Sequence, residues 1–319
     1  MLERYLSILD GDVKPYYLIA KGADDSVPSL FDKTKDELWK LHRERSKIAV
    51  PALELKAELS HRMLDHCELC ELRCGVNRNR GETGRCGVSA GPKISSVFLH
   101  FGEEDVLVPS QTVFFAGCNF TCIYCQNYDI SQRPDSGIYV RPEVMADRLD
   151  QSGGRNINWV GGEPTPNIAY ITEVLTHMTA PLPQIWNSNM YLSEEGMRLL
   201  TKLMDLYLTD FKYGNDDCAS RLSGIRNYTE VVRRNHLMAE ETGDLIIRHL
   251  VIPGHIECCT KPLLEWIDDN LDAPYVNLMK QYRPTYRSSD HPRIDRYLTT
   301  EESKEIDELH RNYGHLTKH

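Results

Sequence analysis

The sequence predicts an α/β protein built on a parallel sheet, preceded by a helical segment and a cysteine-rich stretch. Three observations support this prediction. From residue 110 onward, apolar strand-like runs alternate with helix-like runs. Seven of the ten cysteines lie within residues 67–125, and residues 1–60 favour helix. Strict alternation of strands and helices is typical of a parallel sheet with right-handed crossovers.

Composition argues against several classes of protein. The 319 residues include 47 acidic and 37 basic side chains, so the net charge of −10 disfavours a nonspecific nucleic-acid binder. No apolar run approaches the roughly 18–20 residues that a membrane helix needs. The N-terminal sequence lacks the pattern of a signal peptide. We therefore expect a cytoplasmic protein that has no membrane partner. Nucleic acid is an unlikely partner.

Residues 1–65 are predicted to form a helical extension. Residues 33–47 favour helix, and Pro51 suits the first turn of a second helix that runs toward Cys67. Leu55 and Leu59 share one face of that helix. We expect this face to pack on the next part of the chain.

Residues 66–109 are predicted to form a small metal module followed by a short hairpin. The four cysteines at its start have spacings of two, three and eleven residues, within a glycine-rich stretch without periodicity. Four thiolates suit an auxiliary iron–sulfur cluster, which the spacing favours, or a structural zinc ion. Residues 94–108 suggest two short strands around Gly102 and an acidic turn. The proposed ligands are Cys67, Cys70, Cys74 and Cys86.

Residues 110–285 contain six strand–helix units, and residues 286–319 form a C-terminal helical segment. Six units are fewer than the eight of a closed barrel, so an open doubly wound sheet and an incomplete barrel both fit. The strands are expected at 112–117, 157–162, 184–189, 206–211, 245–252 and 275–282, and the helices between them at 141–154, 168–178, 194–204, 228–243 and 261–270.

Three cysteines directly follow the first of these strands. Cys118, Cys122 and Cys125 form a small loop, GCNFTCIYCQN, with spacings of three and two residues. Three thiolates on a four-iron cluster leave one iron open to another ligand. A zinc loop is the alternative, although structural zinc normally takes four ligands.

This motif, with Tyr124 before its last cysteine, resembles the signature of the radical S-adenosylmethionine (SAM) superfamily. The resemblance implies a partial (β/α)6 TIM-type barrel and a [4Fe–4S] cluster held by the three cysteines. It also implies reductive cleavage of SAM to a 5′-deoxyadenosyl radical, which abstracts hydrogen from a substrate. A reductant such as flavodoxin or ferredoxin is the implied partner.

Polar residues at the strand ends match positions that contact SAM in that superfamily. Without the resemblance, each has a plainer interpretation: a turn, a strand-end salt bridge, a solvent-facing rim residue or a helix cap. The proposed SAM contacts are Tyr124, Gly161, Gly162, Glu163, Asn187, Asp210, Lys212 and Arg248.

The segments HCELCELRCGVNR and VNLMKQYRPTY resemble sequences of an uncharacterised branch that is similar to pyruvate formate-lyase-activating enzymes. The chain lacks the ferredoxin-like insertion of true activases. The resemblance leaves the substrate open, as either a protein or a small molecule. The alternative from another class is an iron–sulfur or zinc electron-transfer protein without radical chemistry.

Cys218, Cys258 and Cys259 show no ligand-like spacing. We interpret them as ordinary buried or surface cysteines. His255, in the same loop as the last two, is interpreted as a loop histidine.

Overall fold

A computed structural model describes residues 2–23, 30–272 and 274–317. The strands of its sheet are β1 (Ile94–His100), β2 (Ser110–Phe115), β3 (Ile157–Gly161), β4 (Gln184–Ser188), β5 (Leu206–Asp210), β6 (Asp244–Leu250) and β7 (Tyr275–Met279). The helices of the described residues are α1 (Glu3–Leu9), α2 (Tyr16–Lys21), α3 (Lys35–Ser46), α4 (Leu53–Arg62), α5 (Tyr128–Ser131), α6 (Pro142–Asp150), α7 (Ile168–His177), α8 (Glu194–Leu200), α9 (Asp216–Ser223), α10 (Tyr228–Glu240), α11 (Lys261–Asn270), α12 (Thr300–Asn312) and α13 (Gly314–Thr317).

The strand order decides between the two architectures that the sequence left open. The seven strands are hydrogen-bonded in chain order, and β2 to β7 are parallel. A doubly wound sheet reverses its order part-way, whereas here every crossover advances one strand in the same direction. Right-handed crossovers then place the connecting helices on one face. The fold is therefore the predicted partial (β/α)6 barrel, with β1 added at its edge.

A hairpin of two strands was predicted at residues 94–108, and the prediction of its second strand is wrong. β1 is present, but it pairs antiparallel with β2, so that His100 lies opposite Ser110. Residues 101–109 form a turn-rich connection with no strand. Because β2 offers β1 a full edge of unpaired backbone groups, pairing there satisfies more of them than a short hairpin would.

Apolar side chains fill the barrel at the end opposite the carboxyl ends of the strands. Tyr5 from α1 and Leu107 from the β1–β2 connection enter this end and are fully buried. They join a buried cluster with Ile185, Leu206, Leu208, Ile246 and Tyr275. These side chains close the amino-terminal end of the barrel, and its interior opens toward the carboxyl ends of the strands.

The N-terminal extension packs on the outer helices, as its apolar face predicts. Helix α3 begins with a capping box, in which Thr34 and Glu37 satisfy each other's backbone N–H groups. Leu55 and Leu59 of α4 are fully buried, and α4 contacts α7 and α8. Within the described part of the chain, no helix is both long and apolar enough to cross a bilayer.

Candidate active site

A polar cavity of about 530 Å³ opens at the carboxyl ends of the parallel strands. It is in the size range of small-molecule sites, and this end is where barrel folds place their chemistry. All three cysteines of the loop after β2 line it, together with every predicted SAM-contact residue. The structure therefore brings together residues that lie up to 130 positions apart in the sequence.

The cysteine loop presents its sulfur atoms to the cavity and surrounds them with donors. Cys118 and Cys122 are buried, and Cys125 is half-buried. The backbone N–H of Phe120 donates to Cys118 Sγ at 3.3 Å, and the Ser223 hydroxyl donates to Cys122 Sγ at 2.9 Å. Burial raises the pKa of Cys122 to about 11, so its thiolate form needs compensating positive charge nearby.

The glycines after β3 allow two loops to approach closely. Gly161 has φ of +120°, and a side-chain carbon there would lie 2.1 Å from the Phe115 backbone nitrogen. A carbon on Gly162 would lie 2.1 Å from the carbonyl oxygen of Gly117. Only glycine fits at either position, which brings the β3 end against the loop that carries the cysteines.

Glu163 is buried and its carboxylate is fully hydrogen-bonded. Its Oε1 accepts from the hydroxyls of Thr165 and Ser188, each at 2.6 Å. Its Oε2 accepts from the Asn189 backbone N–H at 3.0 Å. Burial raises the pKa of Glu163, and these hydrogen bonds oppose the shift. Glu163 thus joins the ends of β3 and β4, and Asn187 lines the cavity beside this network.

Asp210 and Lys212 form an ion pair at the end of β5, with Nζ 2.7 Å from Oδ2. Burial disfavours the ammonium, but the Asp210 carboxylate and the Cys122 thiol raise the pKa of Lys212 above its usual range. Tyr124 is buried next to this pair, and its hydroxyl lies 2.7 Å from the Tyr213 hydroxyl.

Two glutamates that sequence reasoning assigned only to a turn also line the cavity. Glu103 and Glu104, from the β1–β2 connection, both accept from the Arg248 guanidinium. Asn277 donates to Glu104 at 2.9 Å and Asn158 to Glu103 at 3.0 Å. Burial opposes ionisation, but Arg248 holds the pKa of Glu104 below its ordinary value. The Arg248 guanidinium was predicted to contact SAM, and in the structure it donates to two carboxylates.

The second cysteine set is also gathered, close to the barrel. Burial, with negative charge on the other three thiols, raises the pKa of Cys70 to about 12. The buried Arg78 guanidinium lies 3.9 Å from Cys67 Sγ. No three sulfurs of this set lie as close as 4.8 Å to one another.

Comparison with known sequences assigns the family. The profile of the Radical SAM superfamily matches residues 112–267, which span the sheet from β2 to α11. The uncharacterized protein MJ0674 of Methanocaldococcus jannaschii is 40% identical over 335 aligned positions, 98% of each chain. The chain carries a radical SAM superfamily domain. It is therefore an enzyme of that superfamily, for which the implied cofactors are a [4Fe–4S] cluster and SAM.

Other radical SAM proteins are more distant. A 7-carboxy-7-deazaguanine synthase of Archaeoglobus fulgidus is 30% identical over 130 residues, 38% of this chain and 52% of that protein. Among solved structures, methylornithine synthase is 13% identical, with a TM-score of 0.45, over 99% of this chain and 77% of that chain. A structural likeness of this size carries no argument about function.

The donor set fits an iron–sulfur cluster. Three soft thiolates line one cavity, each within hydrogen-bonding reach of a donor, as outer partners of metal sites commonly are. Ser131 completes this set, with its hydroxyl 3.1 Å from Cys125 Sγ. The cavity beyond the cysteines provides room for a further ligand of the cluster.

Proposed function

We propose that this radical SAM enzyme binds a [4Fe–4S] cluster through Cys118, Cys122 and Cys125, cleaves SAM reductively, and abstracts a hydrogen atom from a substrate. The observation that carries the proposal is that the three thiols and the polar strand ends share one cavity. When bound, the cluster supplies the electron for SAM cleavage, and a flavodoxin or ferredoxin is the proposed electron donor.

In this proposal, the residues of the chain bind SAM and orient it. The backbone at Gly161 and Gly162 offers an open edge to SAM because no side chain covers it. Asp210 offers a carboxylate acceptor to the cavity, and Asn187 offers a side-chain amide. Lys212 holds the Asp210 carboxylate in place. Tyr124, which immediately precedes Cys125, lines the same cavity.

Glu163 and Arg248 have most of their hydrogen-bonding capacity occupied by protein groups. Glu163 acts through the β3 and β4 ends that it joins, so we assign it a positioning role. For Arg248, a direct contact with SAM stays a prediction, because its guanidinium already pairs with Glu103 and Glu104.

The substrate is proposed to be a small polar molecule. Glu103, Glu104 and Arg248 together carry one net negative charge on the cavity wall, which favours a substrate with a positive charge or N–H donors. The name of the deazaguanine synthase relative indicates a small polar product, which supports this class. Membership of the activase-like branch, a protein substrate and a cytoplasmic location stay predictions.

An auxiliary iron–sulfur cluster is proposed at Cys67, Cys70, Cys74 and Cys86. Thiolates on one zinc ion lie about 3.8 Å apart, given a Zn–S bond of about 2.3 Å. No three sulfurs of this set lie within 4.8 Å of one another, which supports ligands bound to different irons.

Anaerobic reconstitution tests the catalytic assignment. We expect a reduced-cluster EPR signal that changes when SAM is added, and formation of 5′-deoxyadenosine. Cys122→Ala should abolish 5′-deoxyadenosine, whereas the matched variant Cys74→Ser, in the second set, should keep the SAM-responsive signal. Formation of 5′-deoxyadenosine by Cys122→Ala would reject the proposal.

The SAM contacts need a separate binding measurement. Asp210→Ala should weaken SAM affinity at least tenfold by anaerobic calorimetry, since it removes an acceptor and frees Lys212. Asp135→Ala, in an exposed turn after α5 and without a proposed role, is the control. Equal affinity in Asp210→Ala and the parent protein would remove Asp210 from the site.

A further inference from the structure

The three cysteines without a recognisable spacing converge in space. Cys218 lies on α9, and Cys258 and Cys259 lie in a π-helical turn, Ile256–Thr260, after β6. Their sulfur atoms all lie within 4.8 Å of one another, and Cys218 Sγ is 3.8 Å from Cys258 Sγ. No other three described His, Cys, Asp or Glu side chains bring their ligand atoms this close.

A histidine faces the same cluster. His255 is 1% exposed and directly precedes the helical turn that carries Cys258 and Cys259. Its Nδ1 lies 2.8 Å from the carbonyl oxygen of Pro253, which leaves Nε2 as the ring nitrogen available to a metal ion. A metal-bound histidine usually donates its other ring N–H in this way, to a backbone carbonyl or carboxylate.

We propose that Cys218, Cys258, Cys259 and His255 form a tetrahedral zinc site. A Zn–S bond of about 2.3 Å places two thiolates on one tetrahedral ion about 3.8 Å apart, which matches the Cys218–Cys258 separation. Three thiolates and one imidazole make up a common structural zinc set. His255, Cys258 and Cys259 are three and four positions apart, so all three lie within about one turn of this helical segment.

The surroundings stabilise a site of this charge. Three thiolates and one zinc ion carry one net negative charge. The Arg221 guanidinium lies 3.6 Å from Cys218 Sγ, and the Asn215 amide lies 3.7 Å from Cys259 Sγ. Cys218 and Cys259 are each 1% exposed, so a bound ion with four protein ligands is closed to substrate. The site is therefore structural.

The site joins two loops that follow neighbouring strands of the barrel. Cys218 comes after β5, and the other ligands come after β6. The loops touch already, since a side-chain carbon on Gly214 would lie 2.6 Å from the Cys259 carbonyl oxygen. Asp210 and Lys212 immediately precede this contact, so the zinc ion would fix the β5 end that lines the cavity.

Metal content of the full chain, purified anaerobically, tests the site. We expect Cys218→Ser and Cys258→Ser each to lose one zinc ion per chain, with iron unchanged. Cys74→Ser is the matched control because it alters the second cysteine set alone, and it should keep this zinc ion. Unchanged zinc in both Cys218→Ser and Cys258→Ser, or a loss of iron instead, would overturn the proposal.

A second measurement does not depend on folding of the variants. Zinc-edge X-ray absorption on the unaltered protein should give three sulfur ligands and one nitrogen ligand. In addition, His255→Cys should retain zinc and His255→Ala should release it to a chelator at least tenfold faster. Four sulfur ligands in the unaltered protein, or a Cys218–Cys258 disulfide by mass spectrometry, would contradict the assignment.

Discussion

Arg248 illustrates how a single residue in the cavity serves the fold and limits the chemistry. Its guanidinium, 14% exposed, faces the carboxylates of Glu103 and Glu104, which are 5% and 7% exposed. Such buried ion groups stabilise little by themselves, but removing one partner leaves charge buried and unpaired. The group therefore fixes the β1–β2 connection inside the barrel.

We predict that Arg248→Met lowers the free energy of unfolding by about 3–5 kcal/mol, because two carboxylates lose their cation. The triple variant Arg248→Met, Glu103→Gln, Glu104→Gln should recover most of this loss in urea unfolding. SAM affinity of the triple variant then separates two roles. Unchanged affinity means that Arg248 acts structurally, and an equal loss of stability in single and triple variants would contradict the ion-group argument.

Local patterns predict some of these residues and cannot predict others. Cys118, Cys122 and Cys125 lie within eight residues, so their spacing alone indicates a shared ligand. Glu103 and Glu104 enter the barrel from a connection that looks like a surface turn. The Cys218 cluster combines a helix after β5 with a turn forty residues later, and no spacing rule joins them.

At the scale of elements, α4 is tied to the end of α8 by a buried lysine. Lys56 Nζ donates to the carbonyl oxygens of Leu199 at 2.9 Å and Thr201 at 2.8 Å, and to that of Arg198 at 3.3 Å. The last carbonyls of a helix lack partners within the helix, so an N–H donor from another element satisfies them. Lys56 thus caps α8 from the N-terminal extension.

Lys56→Met should lower the free energy of unfolding by about 1–3 kcal/mol, because buried carbonyls lose their donor. Burial lowers the pKa of Lys56 to about 7, so between about pH 7 and 10 the unfolded chain binds a proton that the folded chain does not. Stability therefore rises with pH in this window. The stability difference between the parent protein and Lys56→Met should grow from pH 7 to 9 in thermal unfolding, and a constant difference would contradict the assignment.

The positions of the parallel strands were predictable because a buried strand is a run of apolar residues. Which strands pair with each other was not predictable in the same way, because pairing depends on the whole sheet. β2 to β7 each overlap a predicted strand, with ends that differ by at most three residues. The prediction of a second strand within residues 94–108 was wrong because β1 pairs with the edge of β2 instead of forming a hairpin with the residues that follow it. Helix α9 was missed because its short polar sequence has no long apolar stripe.

Across the whole molecule, the N-terminal extension and the barrel share interactions. Asp205, before β5, accepts from Arg4 Nη2 at 2.8 Å and from the Tyr16 backbone N–H at 2.9 Å. Tyr5 donates its backbone N–H to Asp244 at 2.6 Å, and its hydroxyl accepts from Asn156 at 2.8 Å. Boundaries near residues 65 and 109 stay predictions from composition. These contacts favour one cooperative unit.

We predict that Tyr5→Ala destabilises the entire barrel by about 3–5 kcal/mol, because it leaves a cavity among Leu107, Ile185 and Ile246. Tyr297→Ala is the control, since that side chain is 67% exposed and should change stability little. Calorimetry of Tyr5→Ala should show a single transition at lower temperature. Two separate transitions, with the barrel transition unmoved, would mean that the extension folds apart from the sheet that it closes.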